Sequence, residues 1–225
     1  MTQQAFLLSY IKYGDHDAVL HCFCKESGYT SFFAKGIYAP KNKKKAFLFP
    51  LSEIQMQVSD RKKSIQNVLK IEQTGKTGFT SDIRKNTILF FAADLLNQIL
   101  RNENQNQEIY QEITIFLDHL KVDNFHSHLV LTFLLIKRLG LQPLFSDNQF
   151  LNPETGTFEA LESHRDFGRE VSAVWKFLLL SPDAYGIQMD RSMRQDFLNS
   201  VMIYLHYHLS DFREPKSLEV IKEIF

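Results

Sequence analysis

The spacing of apolar residues changes once along this chain of 225 residues, and that change restricts its fold more than any other feature. From Gln4 to Leu69, apolar and β-branched residues come in short runs broken by glycine, proline and Ser-Asp turns. From Ile83 onward they recur at the three- and four-residue intervals of helices that bury one face. Residues 73–80, rich in glycine and threonine, separate the two patterns. We therefore expect two domains, 1–78 and 79–225.

The first region predicts five strands, namely Ala5–Tyr10, Ala18–Cys24, Thr30–Ile37, Leu48–Gln57 and Val68–Ile71. Five strands in about 70 residues, with no long helix among them, indicate a small closed barrel. The second region predicts the helices Ile83–Leu100, Glu108–Leu120, Ser127–Leu139, Val171–Leu180, Ser192–Leu209 and Ser217–Phe225. Residues 144–161 interrupt them with Pro153 and Gly156, which indicates a loop or small hairpin. The fold class is α+β, a barrel followed by an α-helical bundle.

Composition excludes several classes of protein. The chain is 44% hydrophobic and 23% charged, which is typical of a globular protein and not of a disordered or collagen-like one. Its two cysteines, Cys22 and Cys24, are too few for a paired CxxC zinc site and too close for an easy disulfide. With no secretory signal and no apolar stretch of membrane-spanning length, we expect a soluble cytoplasmic protein that makes no membrane contact.

The zero net charge conceals an uneven distribution. Residues 1–80 contain 12 Lys and Arg against 6 Asp and Glu, whereas residues 81–225 contain 14 against 20. Such a division suggests an anionic partner for the first part. The alternative is that the two parts attract each other, and both can hold.

Motifs typical of enzymes are missing. Gly75-Lys76-Thr77 resembles the end of a phosphate-binding loop, but Lys70 stands where that motif needs its first glycine. The chain has no G-x-S-x-G, H-E-x-x-H or G-x-G-x-x-G.

The histidines do not form an evident site either. Residues two positions apart on a helix are rotated by about 200°, so the two members of each pair, His126/His128 and His206/His208, point to opposite faces. This geometry favours surface positions over chelation of a metal. His16 lies between two aspartates, where a catalytic dyad is conceivable. No nucleophile accompanies it, and a solvated turn is the better interpretation.

One segment is unusual. Between Lys35 and Lys45 five lysines occur in eleven residues with no acidic residue, and Tyr38 lies among them. Positive charge returns at Arg61, Lys62 and Lys63. Ammonium groups pair with phosphates, and aromatic rings stack on unpaired bases, so the pattern indicates nucleic-acid binding. The alternative is a lysine-rich turn that keeps a strand edge soluble.

The order of these features resembles the RecO family of DNA repair proteins over nearly the whole chain. In the first region the resemblance rests on Tyr13-Gly14-Asp15-x-Asp17-Ala18-Val19-Leu20, Gly28, Ala34-Lys35-Gly36, Lys41–Lys45 and Leu48-x-Pro50-Leu51. In the second it rests on Leu139-Gly140-Leu141-Gln142-Pro143 and Lys216-Ser217-Leu218-Glu219-Val220.

The resemblance implies an N-terminal OB-fold barrel, an α-helical domain and a role as a recombination mediator of the RecF pathway, not as an enzyme. It implies binding to single- and double-stranded DNA and annealing of complementary strands. With the partner RecR, such a protein helps to load RecA onto strands coated by single-strand binding protein (SSB). It also implies a bacterial cytoplasmic, nucleoid-associated location and no cofactor.

The chain departs from the resemblance at one place. Many relatives have a four-cysteine zinc site after the segment that matches Leu139–Pro143, but residues 144–158 contain no cysteine. We therefore expect no metal there, and a hairpin held instead by Phe145, Phe150 and Phe158.

The resemblance assigns functional residues by position. The basic face falls on Lys35, Lys41, Lys43, Lys44 and Lys45, with Tyr38 as a stacking or backbone contact and Arg61, Lys62 and Lys63 added on charge alone. An SSB tail needs an apolar pocket rimmed by cations, for which Lys137 and Arg138 beside Leu129–Ile136 are candidates. They are equally consistent with cations favoured at a helix end. The competing interpretation is a protein-interaction scaffold whose barrel does not bind nucleic acid; an enzyme that uses His16 is a third.

Overall fold

A computed structural model describes residues 1–40, 42–60, 65–74 and 80–224, with only the backbone described at position 43. The chain forms two compact units. The first contains Met1–Gln111 and Pro215–Ser217, and the second contains Glu112–Glu214 and Leu218–Phe225.

The first unit is built on a closed barrel. Its strands are β1 (Thr2–Tyr13), β2 (Asp17–Cys24), β3 (Gly28–Ala34), β4 (Glu53–Val58) and β5 (Gln66–Gln73). They close in the order β1-β2-β3-β5-β4, with β3 and β5 parallel and the other neighbours antiparallel. This five-stranded barrel is an OB-fold, which confirms the predicted fold class.

Two predicted strands extend several residues beyond the observed ones. β3 ends at Ala34 and not at Ile37, because the chain turns at Gly36 with a φ of +66°. β4 begins at Glu53 and not at Leu48, because Lys43–Phe47 form a 3-10 helix. The apolar residues that suggested longer strands, Ile37 and Leu48, are instead buried against the barrel interior.

The barrel interior is filled by alternate residues of the strands, as the two-residue period predicts. Both thiols point inward, and the buried cluster consists of Ala5, Leu7, Ala18, Leu20, Cys22, Cys24, Phe32, Ala34, Ile37, Leu48, Ile54, Met56, Val58 and Ile71.

Two helices complete the first unit. Helix α1 (Ile83–Ile99) packs on β1, and its Asn97 side chain accepts hydrogen bonds from the hydroxyls of Ser9 (3.0 Å) and Tyr29 (2.9 Å). Helix α2 (Gln107–Lys121) begins in this unit, where the Tyr110 hydroxyl donates to Glu53 at 3.1 Å.

The second unit is helical. It continues α2 and adds α3 (Ser127–Arg138), α4 (Arg169–Leu180), α5 (Arg191–His208) and α6 (Leu218–Ile224). Its core centres on Trp175, which is fully buried and has the rings of Phe133, Phe167, Phe197 and Tyr204 within 6.4 Å. No helix in the described ranges is both long and apolar enough to cross a membrane.

Residues 144–161, which were predicted to form a loop or a small hairpin, contain a hairpin. Strands β6 (Phe150–Asn152) and β7 (Thr157–Glu159) pair antiparallel. Phe158 is buried, Phe150 is half-buried and Phe145 is exposed. The Lys176 ammonium lies 5.6 Å from the ring centre of Phe145 and 5.0 Å from that of Phe158. Two of the three expected phenylalanines therefore face the lysine of α4, which fastens the hairpin to that helix.

Candidate nucleic-acid interface

The segment that follows β3 is tied to the turn between β1 and β2. The Gly36 amide donates to the Asp17 carboxylate at 2.7 Å, and the Tyr38 amide donates to the His16 carbonyl at 2.8 Å. The Asn42 side-chain amide donates back to the Gly36 carbonyl at 2.9 Å. Asp17, acidic in a basic region, therefore positions the lysine-bearing backbone.

The same segment is anchored to the barrel from inside. Ile37 and Leu48 are 3% and 8% exposed within the barrel core. Between them, the side-chain carbonyl oxygen of Asn42 accepts a hydrogen bond from the Lys44 backbone amide at 2.9 Å and caps the start of the 3-10 helix. Because these apolar anchors lie on both sides of Lys44 and Lys45, the backbone that carries these two lysines is held at the barrel surface.

Three lysines from distant parts of the sequence line one small cleft, which we call the lysine cleft. Lys35 and Lys44 approach it from the segment after β3, and Lys70 approaches it from β5. The cleft has a volume of about 50 Å³, and Val68–Ile71 form its other side. It exists because the parallel pairing of β3 with β5 brings residues 34–44 beside residues 68–71.

Sequence reasoning missed Lys70. It is surrounded by ordinary strand residues, and its ammonium forms an exposed ion pair with Glu72 at 2.7 Å. Only the barrel topology relates it to the lysine run, so no local pattern could have identified it.

The predicted basic residues have different positions. Lys35 and Lys45 are exposed and Lys44 is half-buried. Lys41, Arg61, Lys62 and Lys63, the side chain of Lys43 and the segment Gly75-Lys76-Thr77 lie outside the described residues.

Tyr38 lies among other aromatic rings. It is half-buried, and its ring centre is 6.5 Å from that of Tyr10. The Lys12 ammonium lies 5.8 Å from the Tyr38 ring centre. Burial, together with the neighbouring Tyr10, raises the pKa of Tyr38 to about 12, so the phenol adds no negative charge beside the lysines. Tyr10 and Lys12 were not predicted, because a single aromatic or basic residue in a strand is an ordinary occurrence.

The cation pair of the second unit is only partly available to a ligand. Lys137 is exposed at the end of α3. The Arg138 guanidinium, however, donates to the largely buried Glu112 carboxylate at 2.9 Å. The neighbouring apolar run Leu129–Ile136 is almost wholly buried, so it belongs to the core of the helical unit.

One of the histidine expectations is wrong. His128 is 2% exposed, because α3 turns it toward the core of the unit, and burial lowers its pKa to about 3. His16, by contrast, lies in an exposed turn as predicted.

Within the described ranges, no three His, Cys, Asp or Glu side chains are grouped as metal ligands. Burial also raises the pKa of Cys24 to about 11, so at neutral pH this thiol is not a thiolate nucleophile.

Comparison with known proteins agrees with this architecture. The family model "Recombination protein O N terminal" matches residues 1–76, and "Recombination protein O C terminal" matches residues 80–218. The chain belongs to the Recombination protein O (RecO) family. The two matched regions correspond to the barrel and to most of the helical part of the chain.

Curated relatives agree over the full length. A protein of Christiangramia forsetii named DNA repair protein RecO is 29% identical, covering 99% of this chain and 98% of its own. The protein with the same name from Flavobacterium psychrophilum is 28% identical, and the match covers 99% of this chain and 98% of that protein. The one from Bacteroides fragilis (strain ATCC 25285) is 27% identical, and the match covers 97% of this chain and 96% of that protein. The family and these names associate the chain with recombination and DNA repair.

Proposed function

We propose that this RecO-family protein is a recombination mediator that binds single- and double-stranded DNA through the lysine cleft and anneals complementary strands. The observation that carries the proposal is the convergence of Lys35, Lys44 and Lys70 on one cleft. Like charges brought together at a surface repel each other unless an anion lies between them. A phosphodiester backbone is the repeating anion that suits such a surface.

The proposed activity needs no bond-breaking group. Two strands resist pairing because their phosphates repel, and a basic surface lowers that repulsion while the bases remain free to pair. The domain 1–78 would supply this surface and the domain 79–225 the contacts with protein partners. RecR, RecA and SSB are the partners that we propose, on the ground of family membership.

For the SSB tail, an acidic peptide that ends in a carboxylate, Lys137 and Arg138 remain our proposal. A second location also has suitable chemistry. A cavity of about 460 Å³ at the end of α5 is lined by apolar Met202, Ile203 and Phe212, with His206, Tyr207, Arg213 and the acidic Glu214 completing the lining. A tail peptide should bind more weakly to Lys137→Glu if the first location is used and to His206→Glu if the second is used. Lys35→Glu should leave peptide affinity unchanged in either case.

The lysine cleft is tested by charge reversal. If about four lysines contact a single strand, the salt slope is near −3 and affinity falls roughly fiftyfold between 50 and 200 mM salt. The double variant Lys35→Glu/Lys44→Glu should lose at least tenfold in affinity for a fluorescent single strand at 50 mM salt, measured by anisotropy. Lys137→Glu is the matched control, a reversal in the other unit. DNA affinity equal in all three proteins would overturn the proposal.

A specific observation favours the scaffold as a second candidate. Ile11 and Tyr13 are 61% and 63% exposed on β1, and the Tyr13 ring packs edge-on against Phe33 at 5.8 Å. An exposed apolar patch of this kind suits a protein partner. If the wild-type protein binds no DNA at 50 mM salt, the scaffold is the better account.

A further inference from the structure

A second feature of the first unit lies near Tyr38, on the far part of β1. Tyr10 and Lys12 pair with Leu20 and Ala18, whose side chains point into the barrel. Directly opposed residues of antiparallel strands share a face, so Tyr10 and Lys12 lie on the inner face of β1. Tyr10 is nevertheless 42% exposed, so folding leaves much of this ring uncovered.

Tyr10 also forms one wall of a groove of about 400 Å³, which we call the Phe90 groove. Leu8 and Pro50 contribute to its apolar lining, and Phe90 of α1 lines it while remaining 50% exposed. The Phe90 ring meets Phe49 edge-on at 5.4 Å, which fixes its orientation. The groove is therefore a preformed apolar site, and the exposed half of Phe90 is a ring surface that the fold does not use.

Four polar residues, Ser9, Asp94, Lys216 and Ser217, line the groove beside its apolar walls. The Asp94 carboxylate accepts hydrogen bonds from the Lys216 amide at 3.0 Å and from the Ser217 hydroxyl at 3.4 Å. A carboxylate repels phosphate but accepts hydrogen bonds from the amino groups of bases. Apolar walls, exposed rings and a carboxylate acceptor together suit a nucleobase.

We propose that the Phe90 groove holds unpaired bases of a single strand whose phosphates lie along the lysine cleft. The proposal rests on the proposed DNA binding and deepens it. Tyr10 links the two sites, because it lines the groove and its ring lies 6.5 Å from that of Tyr38, which follows the cleft-lining Ile37. The Lys12 ammonium lies 5.8 Å from the same Tyr38 ring centre. Bases in a duplex are stacked and paired, so only a single strand can place them in the groove.

The test separates single-strand from duplex affinity. Stacking on an aromatic side chain contributes an amount equivalent to about 5- to 150-fold in affinity per base. Tyr10→Ala and Phe90→Ala should each lose at least fivefold for a single strand and change less than about twofold for the matching duplex. Tyr10→Phe should bind as the wild type. Two controls remove exposed rings elsewhere, Tyr13→Ala on the opposite face of β1 and Phe177→Ala on α4.

A fluorescence measurement tests the groove without relying on truncation. Phe90→Trp keeps an aromatic ring in place, and the chain's single tryptophan, Trp175, is fully buried. Saturating single strand should quench the emission of this variant, whereas the duplex should not. Unchanged emission, or truncations that weaken single strand and duplex equally, would overturn the base-binding groove and leave DNA binding standing. A wild-type protein that binds no DNA would overturn both.

Discussion

Aromatic residues are used differently in the barrel interior and in the core of the helical unit. Among its described residues, the barrel interior has one fully buried ring, Phe32, with Tyr38 and Phe47 partly buried against it, while Tyr10 and Tyr13 are exposed at the far end of β1. In the helical unit the aromatic residues form the centre, where Trp175 contacts four other rings. The difference teaches that rings which fill a core are committed to stability, whereas rings at a barrel rim remain available to a ligand.

The largest effect on stability is expected when the central ring of the helical unit is removed. Trp175→Ala should lower the free energy of unfolding by about 3–5 kcal/mol, because it leaves a large cavity and removes the hydrogen bond that the indole N–H donates to the Ser200 hydroxyl at 3.0 Å. Phe177→Ala on the same helix, 46% exposed, should cost about 0.5 kcal/mol or less. Urea denaturation measures both. Equal losses would show that the aromatic centre is not what stabilises the unit.

The corresponding weak point of the barrel unit is a glycine and not an aromatic residue. Gly28 has a φ of +68°, and a Cβ there would meet the backbone carbonyl carbon of Asn104 at 2.3 Å. Gly28→Ala should therefore cost about 3 kcal/mol, from the left-handed conformation and from the clash with main chain. Gly14, with a φ of +57° and open space around it, is the control, for which Gly14→Ala should cost only about 1 kcal/mol. Similar melting temperatures for the two variants would contradict the close approach.

The two units should also differ in their response to pH, because the helical unit contains the buried His128. Its pKa is lowered to about 3, so the neutral form is favoured by folding, and its stabilising effect is present above pH 6.5 and lost as the pH falls toward 3. By pH 5 the loss should be about 2 kcal/mol relative to pH 7.5. His128→Asn should flatten this part of the profile, whereas His206→Asn, at an exposed position, should leave it intact. A wild-type slope that survives His128→Asn would assign the pH dependence elsewhere.

A smaller effect tests how Asp17 positions the segment after β3, which carries Lys35 and Lys44. Asp17→Asn weakens the charged hydrogen bond to the Gly36 amide and should cost about 1 kcal/mol of stability. Asp15→Asn removes the same charge from an exposed turn position and should cost much less. Since both changes make the surface more basic, the comparison isolates positioning: single-strand affinity should be lower for Asp17→Asn than for Asp15→Asn. Equal affinities would mean that the segment does not need this contact.

The sequence predicted the architecture because each region has one consistent period. It extended β3 and β4 too far, since Ile37 and Leu48 continue the apolar pattern but fold back into the barrel from a turn and a 3-10 helix. It identified the lysine run by local density, yet Lys70 enters the same cleft only through the pairing of β3 with β5. Long-range strand pairing of this kind leaves no local signature, and the same holds for the grouping of Tyr10 with Phe90.

The most direct test of the lysine cleft is the salt dependence of single-strand binding by Lys70→Gln. If a phosphate is bound by the cleft, the slope of log affinity against log salt should become shallower by about 0.7, the share of one contact. Losing the exposed pair with Glu72 has little effect of its own. Lys25→Gln, which removes an exposed lysine of the same barrel, should leave the slope unchanged. Equal slopes for Lys70→Gln and the wild type would contradict the cleft as the DNA-binding site.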